Sequence, residues 1–133
     1  MTDRINEAFA QGIFAITLIS HDHDKSRDFY GNKLSLTEVY RDENSSAYRA
    51  GTTLINCLAS SEADELLAPA TLASVQSGTD VVYTLKCQDI DATVQELIAK
   101  GVQILSGPMD RPWGIRTASF QDPSGHTWEL ANH

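Results

Sequence analysis

The sequence predicts an α+β fold made of two βαβββ modules that leave a cleft, and three observations carry that reading. A run rich in β-branched and aromatic residues, then an aspartate cap, then a helical apolar spacing occurs once near the start of the chain and again past its middle. The two caps, Asp22 and Asp89, lie 67 residues apart, and that offset also pairs Ala15 with Val82, Ser26 with Thr93 and Leu34 with Gly101. Each half then continues as three short strand-like runs, so the second half repeats the first. A single helix covers one face of each sheet and leaves the other free, which favours a cleft between sheets.

The elements follow in order. Residues 12–19 (Gly-Ile-Phe-Ala-Ile-Thr-Leu-Ile) read as the first strand. Polar residues 20–24 supply the cap, and Phe29, Tyr30 and Leu34 the apolar face of the helix. Strands are expected over 36–41, 45–50 and 53–59, punctuated by Asp42-Glu43-Asn44 and by Gly51. Residues 60–79 change character and form a connector, with helical turns expected at Leu66–Leu67 and Leu72–Val75. The second half, about 80–132 against 12–59, opens with a strand at 81–87. Asp89 then caps a helix bearing Ile90, Val94, Leu97 and Ile98, and Gly101 ends it as a left-handed residue. Strands at 102–105, 115–121 and 126–131 complete it, the last two joined by the turn Asp122-Pro123-Ser124-Gly125.

Composition narrows the functions. The 133 residues, read as one domain, are long enough to bury a core without a disulfide or metal staple. Ten Lys and Arg against 18 Asp and Glu give a net charge of −8, with no basic cluster to displace counterions from nucleic acid or to hold an anionic membrane. The longest near-apolar run, Ile13 to Ile19, is too short to span a bilayer, and the start shows no secretory pattern, so a cytoplasmic location is expected. Cys57 and Cys87 match no metal or redox spacing and are read as reduced thiols. No phosphate loop or nucleophile elbow is present.

Two stretches resemble the vicinal oxygen chelate superfamily, the glyoxalase/bleomycin resistance/dioxygenase fold. One is Asp22 with Ser26 and Phe29-Tyr30. The other is Asp89 with Gly101-Val102, then Pro112-Trp113-Gly114-Ile115-Arg116 and residues 120–130, Phe-Gln-Asp-Pro-Ser-Gly-His-Thr-Trp-Glu-Leu. The resemblance runs from Gly12 to Asn132 and implies a half-barrel-like mixed sheet. It says little about reaction, because the family spans isomerases, lyases, dioxygenases and drug-sequestering proteins. Metal-dependent members take one inward-facing ligand from each of four strands. At those positions this chain has Ala15, Asn56, Val82 and Glu129, and moving to Thr17 does not restore a ligand. One carboxylate and one amide fall short of the three donors a catalytic metal wants, so no metal site is expected. The resemblance also implies a homodimer whose cleft is shared, Asn56 of one chain facing Glu129 of the other.

The candidate site residues each carry an alternative reading. Period-two alternation puts Thr127, Glu129 and Ala131 on one face, opposite Trp128 and Leu130. Glu129 is thus a general base or a binder of a cationic group, or else a former ligand now paired with Lys86 or Arg116. Trp113 can stack on a planar ligand or close the core, and Tyr40 and Tyr48 are similar candidates. Arg116 can anchor an anion or pair with a surface acid. Thr17 and Thr84 join Asn56 among the ligand-binding candidates. His21 and His23 read as a solvated cap, His126 as a hairpin residue, and His133 as terminal.

Two function classes compete. One is a metal-independent binder of a planar or cationic compound, such as an antibiotic. The other is an enzyme: a lactoylglutathione lyase or extradiol dioxygenase type using zinc, nickel, iron or manganese, or a metal-free isomerase with Glu129 as base.

Overall fold

Alternation along the strands sets the architecture of the computed structural model, which describes residues 3–132. Met1, Thr2 and His133 lie outside the described residues. In β1 (Ala15–Ser20), Leu18 and Ser20 are buried and Thr17 is exposed. The first sheet also contains β2 (Glu38–Arg41), β3 (Ser45–Ala50) and β4 (Thr53–Ala59), in the order β1-β4-β3-β2. The second is built from β5 (Val82–Lys86), β6 (Ile104–Asp110), β7 (Arg116–Gln121) and β8 (Thr127–Ala131), in the order β5-β8-β7-β6. The order is the same in both, with β1–β4 and β5–β8 parallel and the other pairs antiparallel. Neither sheet closes on itself, and the two βαβββ repeats are present.

Both helix starts are capped as the aspartates dictate. Asp22 accepts the Lys25 amide at 3.2 Å to open α2 (His23–Arg27), and Asp89 accepts the Ala92 amide at 3.0 Å to open α4 (Ile90–Ala99). The first helix departs from expectation, because after one α-helical turn it widens into a π-helical stretch over Asp28–Lys33. There the neighbouring rings of Phe29 and Tyr30 both enter the core, edge to face at 5.0 Å. Its left-handed residue is Ser35 (φ 59°) rather than Leu34, matching Gly101 (φ 84°) in the second half.

Three other boundaries differ. A helix over Arg4–Ala10, here α1, precedes the first module, capped by Asp3, which accepts from the Ile5 and Asn6 amides. The connector holds a 3₁₀ turn at Ser60–Glu62, a helix α3 over Ala63–Leu67 and a second 3₁₀ turn at Val75–Ser77, later than the 72–75 expected. The strand expected at 102–105 instead runs from Ile104 through Gly107-Pro108 to Asp110, with its register shifting between Ser106 and Met109. Glycine and proline read as a stop, but here they form a bulge. A Cβ on Gly107 would lie 2.5 Å from the Thr117 carbonyl oxygen, so only glycine allows this approach.

One core joins the modules. It combines Leu18, Tyr48, Ile55 and Cys57 from the first sheet, Phe29 and Tyr30, then Ile90, Val94 and Leu97 from α4, and Ala118, Phe120, Trp128 and Leu130 from the second sheet. Among the described residues no helix is long and apolar enough to cross a membrane.

Candidate functional site: two matched rows on the sheet faces

Residues paired across a ladder point to the same face, so the register builds the site. On the first sheet, Thr17 pairs with Asn56, Asn56 with Ala47, and Ala47 with Tyr40. This row faces away from the core residues Leu18, Ile55 and Tyr48. The Asn56 amide donates to Thr17 Oγ1 at 3.4 Å. Over the row lies a cavity of about 1010 Å³, lined by apolar Val39, Leu54, Leu58 and Leu66 and rimmed by Asp42, Glu43, Glu62 and Glu65. The connector forms one wall, with Asn44 donating to Glu62 at 3.0 Å. Tyr40 is 55% exposed and donates its hydroxyl to Asp42 at 2.7 Å. That bond, with amide and hydroxyl donors from Asn44 and Ser45, pulls the Asp42 carboxyl down to about 2.

The second sheet carries the matching row. Thr84 pairs with Glu129, Glu129 with Ser119, and Ser119 with Ser106. The Thr84 hydroxyl donates to Glu129 Oε1 at 2.9 Å, and Ser106 and Ser119 share a hydrogen bond of 2.8 Å. Asn56 and Glu129 are therefore equivalent positions, each beside a threonine on the parallel neighbouring strand. The first-sheet cavity has no lining residue from β5 to β8, so Glu129 does not share it within the chain.

The other candidates fall as follows. Tyr48 does not reach the open face: it pairs with Ile55, is fully buried, and packs 5.9 Å from the Tyr30 ring, which removes it from the site. Neither proposed partner of Glu129 bonds it among the described residues. Arg116 instead holds Asp91 through two bonds of 2.9 Å and Asp110 at 3.1 Å, the surface pairing. Trp113 is 68% exposed at the β6–β7 turn, with the Arg111 guanidinium 5.8 Å from its ring centre. His23 Nε2 lies 3.1 Å from Ser46 Oγ, and the His21 amide donates to Ser124 Oγ.

Asp122, expected only as a turn residue, is also a buried carboxylate. Burial works to raise its carboxyl, but the hydrogen bond and charge of His126 and the Tyr30 hydroxyl outweigh it and hold it below the ordinary carboxylate value. His126 Nδ1 donates to it at 2.7 Å and Tyr30 at 2.6 Å, while Trp128 Nε1 donates to Tyr30 Oη at 3.1 Å. The turn motif Asp122 to Gly125 was visible, but nothing in the sequence linked it to Tyr30.

The donor set does not fit the metal site of metal-dependent relatives. Ala15 and Val82 present only hydrocarbon, Thr17 and Thr84 only hydroxyls, and among the described residues no three His, Cys, Asp or Glu side chains converge.

Comparison with known proteins agrees with the fold. The chain is 29% identical over 132 residues to the uncharacterized protein YraH of Bacillus subtilis, covering 89% of this chain and 95% of that one. A crystal structure of a glyoxalase/bleomycin resistance protein/dioxygenase from Nocardioides superposes with a TM-score of 0.80 at 25% identity, covering 97% of this chain and 92% of its own. A lactoylglutathione lyase from Agrobacterium tumefaciens has the same fold, with a TM-score of 0.70 at 20% identity over 90% of this chain and 92% of its own. The profile of the superfamily matches residues 12–130, and the chain belongs to the Glyoxalase/Bleomycin resistance protein/Dioxygenase superfamily.

Proposed function

We propose that the protein binds an organic small molecule without a metal ion, in a cleft where the first-sheet row of one chain faces the second-sheet row of a second copy. The cavity of about 1010 Å³ over Thr17, Asn56 and Tyr40 carries this reading. Its volume is at the upper end for ligand sites, and an apolar floor under an acidic rim suits a planar body with a cationic group, as in some antibiotics. A second copy would bring Thr84 and Glu129 opposite this cavity and so give Glu129 a ligand. Exposed Ile5, Phe9, Ile13 and Phe14 support self-association. Two free cysteines, one fully buried, suit the reducing cytoplasm.

A second reading is favoured by one observation: Thr84 holds one oxygen of Glu129 and leaves the other available, as a metal-free isomerase or lyase base requires. The lyase and dioxygenase types that need zinc, nickel, iron or manganese lack their donors here.

Metal analysis of the purified protein and of Glu129→Gln, with a thermal-shift screen of planar cationic compounds, tests the proposal. Substoichiometric metal in both proteins is expected, with a ligand at 100 times its Kd adding about 2.7 kcal/mol. Stoichiometric metal lost in Glu129→Gln would overturn it.

A further inference from the structure

Arg27, Arg41 and Arg116 each stand within ion-pair distance of a carboxylate, as expected in a chain with 18 acids. Arg111 is held differently. Its amide donates to the Ile115 carbonyl at 2.7 Å, and its own carbonyl accepts from Gly114 at 3.0 Å, fixing the backbone of the β6–β7 turn. Its Nε donates to Thr117 Oγ1 at 2.8 Å, and the guanidinium lies against the Trp113 ring. Among the described residues no carboxylate is within ion-pair distance of it, and neither Nη has a hydrogen-bond partner.

The ladder locates this guanidinium relative to Glu129. Thr117 pairs with Ala131 and Ser119 with Glu129, so Thr117, which is fully buried, and Glu129, which is half-buried, project to the same side of the second sheet, one alternate position apart, roughly 7 Å along the strand. With Nε engaged by Thr117, the guanidinium keeps its two Nη donors, whose parallel N–H bonds match the two oxygens of a carboxylate. The backbone turn, the threonine and the indole already fix its orientation, so little side-chain entropy remains to be lost on binding.

We infer that Arg111, backed by the exposed Trp113, is the anchor for a carboxylate group on a planar ligand. This rests on the small-molecule reading above and names the end of the ligand that lies over the second sheet, opposite the acid-rimmed cavity.

The test uses 2-naphthoate, with 2-naphthamide and 2-naphthylmethylammonium as neutral and cationic counterparts, in calorimetry and in NMR of the two tryptophan indole N–H signals. The expected result is saturable naphthoate binding that shifts the Trp113 signal and leaves Trp128 in place. Arg111→Gln should weaken naphthoate by about tenfold or more and Arg111→Lys by less, with naphthamide affinity unchanged in both. Thr117→Val, which keeps the charge but releases its support, should weaken naphthoate by an intermediate factor. Equal naphthoate affinity in wild type and Arg111→Gln, or equal loss of naphthamide, would overturn the inference. Binding of the ammonium probe without naphthoate would overturn the anchor and leave the small-molecule reading standing. Absence of naphthoate binding in wild type would likewise overturn the anchor, while the broad thermal-shift screen decides the small-molecule reading.

Discussion

The Tyr30 hydroxyl donates to the Asp122 carboxylate at 2.6 Å across 92 residues of sequence, and this bond joins the two modules inside their common core. Tyr30 also accepts from Trp128, so one phenol oxygen serves both a buried indole and a buried carboxylate. Tyr30→Phe keeps the ring packing but leaves Trp128 Nε1 without its acceptor and removes one donor from Asp122. A bond to a charged group is worth about 1.5–3 kcal/mol, so unfolding in urea should show a loss of about that size. An unchanged urea midpoint would mean that water replaces the hydroxyl at no cost.

The same core makes stability fall at both ends of the pH range. Asp122 titrates below the ordinary carboxylate value, so its contribution is present above about pH 4 and is lost as pH falls through its folded value. Burial pushes the Cys57 thiol up from 9.0 to about 12, so the folded state favours the protonated form. That contribution is complete below pH 9.0 and is lost as pH rises toward about 12. Cys57→Ala leaves a small cavity at neutral pH but removes this titration. Urea midpoints of wild type and variant should therefore converge between pH 8 and 11; parallel curves would argue against it.

What the sequence revealed here was local, and what it hid was contact between distant segments. Asp22 and Asp89 could be read as caps because capping involves only the next three residues. The facing of Glu129 could be read because alternation is a property of one strand. Tyr48 could not be placed, since alternation along β3 sets Ser46, Tyr48 and Ala50 against Ser45, Ala47 and Arg49, two mixed rows that do not mark which one faces the core. Arg111 gave no sequence signal, because its value comes from Thr117 on the next strand. The acidic wall over the first sheet comes from the connector, whose fold against β4 has no periodic pattern to announce it.

Gly107 and Gly114 both have positive φ, 84° and 97°, yet they should respond differently to alanine. Around Gly114 nothing among the described residues lies within 4 Å of an added Cβ, so the cost is backbone strain alone, about 1 kcal/mol. At Gly107 the Cβ would meet Thr117 oxygen at 2.5 Å and Ala118 Cα at 2.9 Å, and both are backbone atoms that cannot rotate away. Gly107→Ala should therefore lose at least about 2 kcal/mol more than Gly114→Ala in thermal or urea unfolding. Equal losses would show that the β6 bulge relaxes.

The rows around Asn56 and Glu129 allow a direct test of whether the cleft is shared between copies. A chain carrying Asn56→Leu and Tyr40→Ala has a disabled first-sheet row, and one carrying Glu129→Leu and Thr84→Val has a disabled second-sheet row. Alone, each should bind no ligand found by thermal shift, because every cleft contains one damaged row. Mixed and allowed to exchange, a shared cleft gives heterodimers with one intact site and one doubly damaged site. Calorimetry of the purified heterodimer should then read one ligand per two chains at the wild-type Kd. A cleft contained within one chain predicts no recovery at all, since every chain in the mixture still carries a damaged row.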